Sequence, residues 1–171
     1  MSRIKDITII AILAAILFIQ ELALSGLPNI QLTILLIIVY TKTLGIKRTI
    51  FIVMIHTILD NLVWGFDLRY FIPMLIGWLL IPLSIGTLFR KVNKVIILAL
   101  LGVAYAFIYS WLLSLPYLLI SESAFIGYLA GDVLFEIILA ASSFITILWL
   151  YEPLYKALFK LDNEYYQRTD V

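Results

Sequence analysis

The chain has 171 residues, of which 64% are hydrophobic and 13% charged, with a formal net charge of +1 and a mean hydropathy of +1.10. Soluble domains carry about 25% charged residues, so a water-facing globular surface is excluded and the length fits one membrane domain. Cysteine is absent, which rules out disulfides and thiol chemistry, and the charge pattern carries no nucleic-acid signature.

Residues 1–171 read as a single all-α membrane domain of six helices. The first, about 4–24, follows Arg3 and Lys5 as a signal peptide does. Its apolar run is too long for that role, and Gln20 and Glu21 stand where a small-residue cleavage site belongs, so it reads as a retained helix. Ser25, Gly26 and Pro28 break it. The second helix, about 30–44, is short and ends in a basic turn with Lys42, Gly45, Lys47 and Arg48. The third, about 49–63, stops at Gly65 and Asp67. The fourth, about 70–89, has Pro73 in its first turn and Pro82 farther in, where a missing donor bends a helix. The fifth, about 95–120, is kinked or ended by Pro116. The sixth, about 124–159, is long enough to cross a bilayer and emerge, with a bend expected at Pro153 and a frayed polar tail from Lys160.

Lysine and arginine concentrate in cytoplasmic loops. Arg3 and Lys5; Lys42, Lys47 and Arg48; Arg90, Lys91 and Lys94; and Lys156, Lys160 and Arg168 fall on one side of a six-span arrangement, and only Arg69, beside Asp67, falls on the other. Both termini are therefore expected in the cytoplasm, and the chain in the cell membrane of a prokaryote. No repeat of 20 to 50 residues is visible, which gives an inverted-repeat carrier no direct support.

The outer ends carry a mixed polar and aromatic set: Gln20, Glu21, Asn29, Gln31, Asp60, Asn61, Trp64, Tyr70, Ser114, Tyr117, Ser121, Glu122 and Tyr128. Amides, carboxylates and rings suit a polar organic ligand; an interfacial aromatic belt accounts for single members of the set. His56 and Asp60 share a helix face, as do Asp132 and Glu136. Ionisable groups inside a membrane are costly, face the bundle interior and seek partners. They read either as a ligand cavity or proton path, or as a packing bond such as one from His56 to Glu136. Asp60 and Asp132, nearer the outer mouth, are favoured for ligand contact. Ala11 and Ala15, with Ala14 beside them, form a small-residue stripe, and Ala140 to Ser143 form another. Such stripes allow close helix approach, within the bundle or to another protein.

No Walker, H-E-x-x-H or G-x-S-x-G pattern occurs, and one histidine cannot build a multi-histidine metal site. No catalytic residue, cofactor or metal is assigned, although spacing alone leaves an aspartyl pair of Asp60 and Asp132 open.

Six helices, an Ala-x-x-x-Ala pair at Ala11 and Ala15, and the stretch LALSGLPNIQLT from Leu22 to Thr33 resemble the substrate-binding S components of energy-coupling factor (ECF) vitamin transporters. The stretch is similar to the L-P-N-V-Q segment of the cobalamin-type members. The resemblance implies binding of a vitamin in the outer half, where the polar residues Asn29, Gln31, Asp60, Asn61, Trp64, Tyr117, Tyr128 and Asp132 form the candidate contact set. It also implies docking through Ala11, Ala14 and Ala15 on a transmembrane coupling protein driven by two ATPase subunits. A structural scaffold similar to the rod-shape-determining subunits, and a proton carrier using His56, Asp60, Asp132 and Glu136, are the competing readings.

Overall fold

The computed structural model describes residues 2–167. Among them the chain is all-helical, with α1 over Ser2–Leu24, α2 over Thr33–Leu44, α3 over Ile46–Trp64, α4 over Leu68–Gly86, α5 over Val95–Ser114, a 3-10 turn over Leu115–Leu119 and α6 over Glu122–Gln167. Four helical stretches are long and apolar enough to cross a membrane: α1, α4, α5 with its 3-10 continuation, and α6. The helix α3 has the length but carries Lys47, Arg48 and Asp60. With 12 residues, α2 is only about 18 Å long, well short of a hydrocarbon core of about 30 Å.

Most breaks fall where glycine and proline place them, and the end of the chain differs. At Pro116 the fifth helix narrows to a 3-10 turn, because proline supplies no backbone donor there. At Pro153 the sixth runs on as helix, with Tyr151 before the proline buried and Leu154, Tyr155 and Leu158 after it packed against the core. The stretch from Lys160, expected to fray, is helical to Gln167, and the 160s carry a Lys160–Glu164 pair at 3.8 Å. Arg168 lies outside the described residues.

The short α2 is the axis of the bundle. It packs against each of the other five α-helices, and all of its residues except Lys42 and Thr43 are buried. An all-round apolar helix belongs inside a bundle. Around it run α1, α3, α4, α5 and α6 in contact order, and α1 and α6 do not touch, so the ring is open along one seam. Two ties cross it. At one end the Arg48 guanidinium lies 2.9 Å from Asp6 of α1 and 3.3 Å from Asp162 of α6. At the other, the Asn29 amide donates to the Phe135 carbonyl of α6 at 3.0 Å. Asn29 reaches it from a left-handed conformation, φ 54°, which asparagine tolerates better than most side chains.

A helix that begins inside a bundle leaves its first N–H groups without partners. Here Gln20 meets the residue just before the first turn: its Oε1 accepts from Leu32 N at 2.9 Å, while its Nε2 donates to Thr33 Oγ1 at 2.8 Å and to Leu17 O at 3.0 Å. At the opposite end Lys42 Nζ donates to the carbonyls of Phe89, Arg90 and Val92 at 2.9, 3.0 and 2.7 Å, closing the exit of α4. Charged donors are favoured at such carbonyl ends.

Replacing Gln20 with leucine strands the Leu32 N–H in a buried position and should cost about 1–3 kcal/mol. A melting curve of the detergent-purified variant checks this, and an unchanged midpoint would show that another group caps α2.

Candidate functional site

A cavity of about 330 Å³ opens at the Trp64 end of the bundle. Its walls come from the end of α1 with Glu21, the 25–31 connection with Asn29 and Gln31, Trp64 at the end of α3, and Tyr109 and Leu113 of α5. The connection borders the cavity with Asn29 and Gln31 half-buried, while Ser25, Gly26, Leu27, Pro28 and Ile30 are exposed. Hydrogen bonds between Gln31 and Ser142 of α6, at 3.3 Å in each direction, pin it there.

Beneath this cavity lies a cluster of ionisable groups from two helices. His56 of α3 is fully buried, with its Nε2 3.1 Å from Oε2 of Glu21 on α1. The distance suits an ion pair, but the alignment is not that of a hydrogen bond, and both imidazole nitrogens and Glu21 Oε2 lack hydrogen-bond partners. Asp60, one helical turn from His56, is 5% exposed and its Oδ1 is also unpartnered. The Trp64 indole sits beside the Asp60 carboxyl. The pairing of His56 with Glu136 expected from the sequence is therefore replaced by one with Glu21, because α1 rather than α6 packs on α3.

Tyr109 forms the inner wall. Its ring stacks on Trp78 with centroids 3.9 Å apart, and Gly77 makes the room, since a Cβ there would stand 2.8 Å from Tyr109 Cδ2. Glu21, Asp60 and Tyr128 are all electrostatic neighbours of its hydroxyl. Tyr109 thus separates the cavity from a second group, in which Tyr117 stacks on Tyr128 at 4.3 Å and meets Tyr70 edge-on at 6.3 Å. Asp132 adjoins Tyr128, and Glu136 adjoins Trp111 with its Oε1 unpartnered.

Of the sequence-derived contact set, Asn29, Gln31 and Trp64 line the cavity and Asp60 lies below Trp64. Tyr117, Tyr128 and Asp132 do not line it. Asn61 is turned away, donating to Thr57 O at 2.9 Å and toward Met74 Sδ at 3.2 Å. Glu21 and Tyr109 were missing from that set. Glu21 was legible as a polar residue at a helix end, whereas Tyr109 sits in an apolar run where a tyrosine carries no positional signal. At the rim, hydrogen bonds from Arg69 hold the Asp67 carboxyl below the usual carboxylate range, and the 2.6 Å pair they form leaves the rim without net charge.

Of the small residues on α1, Ala14 is fully buried in the core and takes no part in an external surface. Ala11 is exposed and Ala15 half-buried. No family model matches the chain, and no curated protein or solved structure shows significant similarity to it.

A buried carboxylate with an unpartnered oxygen is a stability cost of about 1–3 kcal/mol. Asp60→Asn, which keeps the shape and removes the charge, should therefore leave the melting temperature unchanged or raise it. A clear fall would show that the Asp60 carboxylate is paired in the resting protein.

Proposed function

We propose that the chain is a six-span membrane protein, with both ends in the cytoplasm, that binds a small polar organic ligand from outside and passes it on with energy supplied by separate partners. In this reading it is the substrate-binding subunit of an ECF-type vitamin importer. The observation that carries it is the cavity of about 330 Å³ beside the His56–Glu21 pair and Asp60, where both imidazole nitrogens, Glu21 Oε2 and Asp60 Oδ1 lack hydrogen-bond partners. Polar groups left unpaired inside an apolar bundle persist where function uses them.

Further support comes from the shape of the bundle. The basic turns fall at the end opposite the cavity, as the positive-inside preference requires. A volume of about 330 Å³ lies at the low end of ligand pockets and suits a compact vitamin better than a corrinoid. Cobalamin, the first candidate from Pro28, Asn29 and Gln31, has less support on this ground. The Asn29 amide is engaged by Phe135 O, and Gln31 Oε1 accepts from Thr33 at 2.9 Å.

The test is a thermal-shift screen of the detergent-purified protein against water-soluble vitamins. A ligand at 100 times its Kd should add about 2.7 kcal/mol of stability, and Glu21→Gln or Trp64→Ala should weaken that shift. No stabilising compound across the set would overturn the binding reading and favour a scaffold. For the partner, Ala11→Trp should abolish uptake in cells while leaving the thermal shift intact. Loss of the thermal shift in that variant would mean that the exposed face of α1 serves the fold instead.

A further inference from the structure

A second, larger cavity of about 720 Å³ lies at the Lys42 end, between the α2–α3 turn, the exit of α4 and Tyr155 of α6. Lys42, Lys47, Arg48 and Arg90 line it with Asn93, and no acidic side chain does. Two of the four cations are committed to the fold: Lys42 to three carbonyls and Arg48 to Asp6 and Asp162. These contacts hold the walls. Among the described residues, neither Lys47 nor Arg90 has a carboxylate within ion-pair distance, and both are exposed. Gly45 reverses the chain with φ +82°, and α3 starts at the cavity wall without a side-chain cap, which adds the partial positive charge of a helix start.

Lys47 and Arg90, without an ion-pair partner among the described residues, are relieved by an anion with several acceptor oxygens. The guanidinium fork of Arg90, the Lys47 ammonium and the Asn93 amide together offer donors in the number a phosphate accepts. The cavity is roomier than an inorganic ion needs, and it sits at the helix ends, where the phosphates of a bilayer lie. Basic pockets at this level take acidic lipid headgroups.

We propose that this cavity binds a phosphate group bearing net negative charge, carried by an anionic phospholipid or by a soluble phosphate ester. The site is separate from the cavity at the Trp64 end and does not depend on the function proposed for it. Native mass spectrometry of the full chain in detergent, titrated with phosphatidylglycerol, phosphatidylcholine and glycerol 3-phosphate, tests it.

Phosphatidylglycerol should be retained over phosphatidylcholine, and the double variant Lys47→Gln/Arg90→Gln should lose about thirtyfold in that affinity. Both side chains are exposed and outside the ion pairs of the fold, so the variant should melt like the parent; if it does not fold, the preference of the parent protein between the two lipids decides. Phosphatidylglycerol that glycerol 3-phosphate cannot displace identifies a lipid as the source, and displacement identifies a soluble ester. Equal retention of the two lipids with no binding of glycerol 3-phosphate overturns the proposal, as does a folded double variant that holds phosphatidylglycerol as tightly as the parent.

Discussion

The Gln20 side chain makes the architecture possible by providing for a helix that starts in the wrong place. In an apolar surround each free backbone N–H costs several kcal/mol, and α2 begins at Thr33, inside a ring of other helices. One amide bridges to that start, accepting from Leu32 N and donating to Thr33 Oγ1. Because α2 starts there, the preceding connection is irregular, with only Asn29 and Gln31 half-buried, and it borders a cavity rather than filling the space as a longer helix would. The small volume bounded by Glu21, Trp64 and Tyr109 follows from the length of α2.

The two ends of the bundle handle charge in opposite ways. At the Trp64 end, carboxylates and an imidazole are withdrawn into the interior and left with unpartnered atoms, while the exposed ion pair of Asp67 and Arg69 satisfies itself. At the Lys42 end the charges stay near the surface, and those that turn inward are saturated, Lys42 by carbonyls and Arg48 by two carboxylates. Unsatisfied polarity is thus concentrated at one end and uncompensated positive charge at the other.

Much of the outline was legible in the sequence because glycine and proline mark the breaks and lysine and arginine mark one set of ends. The central position of α2 was not. Lipid tails are as apolar as a protein core, so a run such as ILLIIVY carries the same signal whether it faces lipid or five other helices. The four-residue spacing of His56 and Asp60 placed them on one face correctly, but spacing within a helix cannot say which helix stands opposite, and the partner proved to be Glu21 on α1. Asn61 illustrates the same limit: one position beyond Asp60, it points to Met74 on α4 and leaves the cavity. Ala14, next to Ala15, is rotated far enough round α1 to be buried.

The brevity of α2 also bears on how the protein enters the membrane. A stretch of 12 residues is below the length of about 20 at which a segment is held in a bilayer on its own account, and nearly every side chain it has is claimed by protein neighbours. It has no lipid-facing surface with which to wait. Its burial is complete only once α1, α3, α4, α5 and α6 have all closed around it. The central helix of the finished bundle is, on this account, the last to be secured.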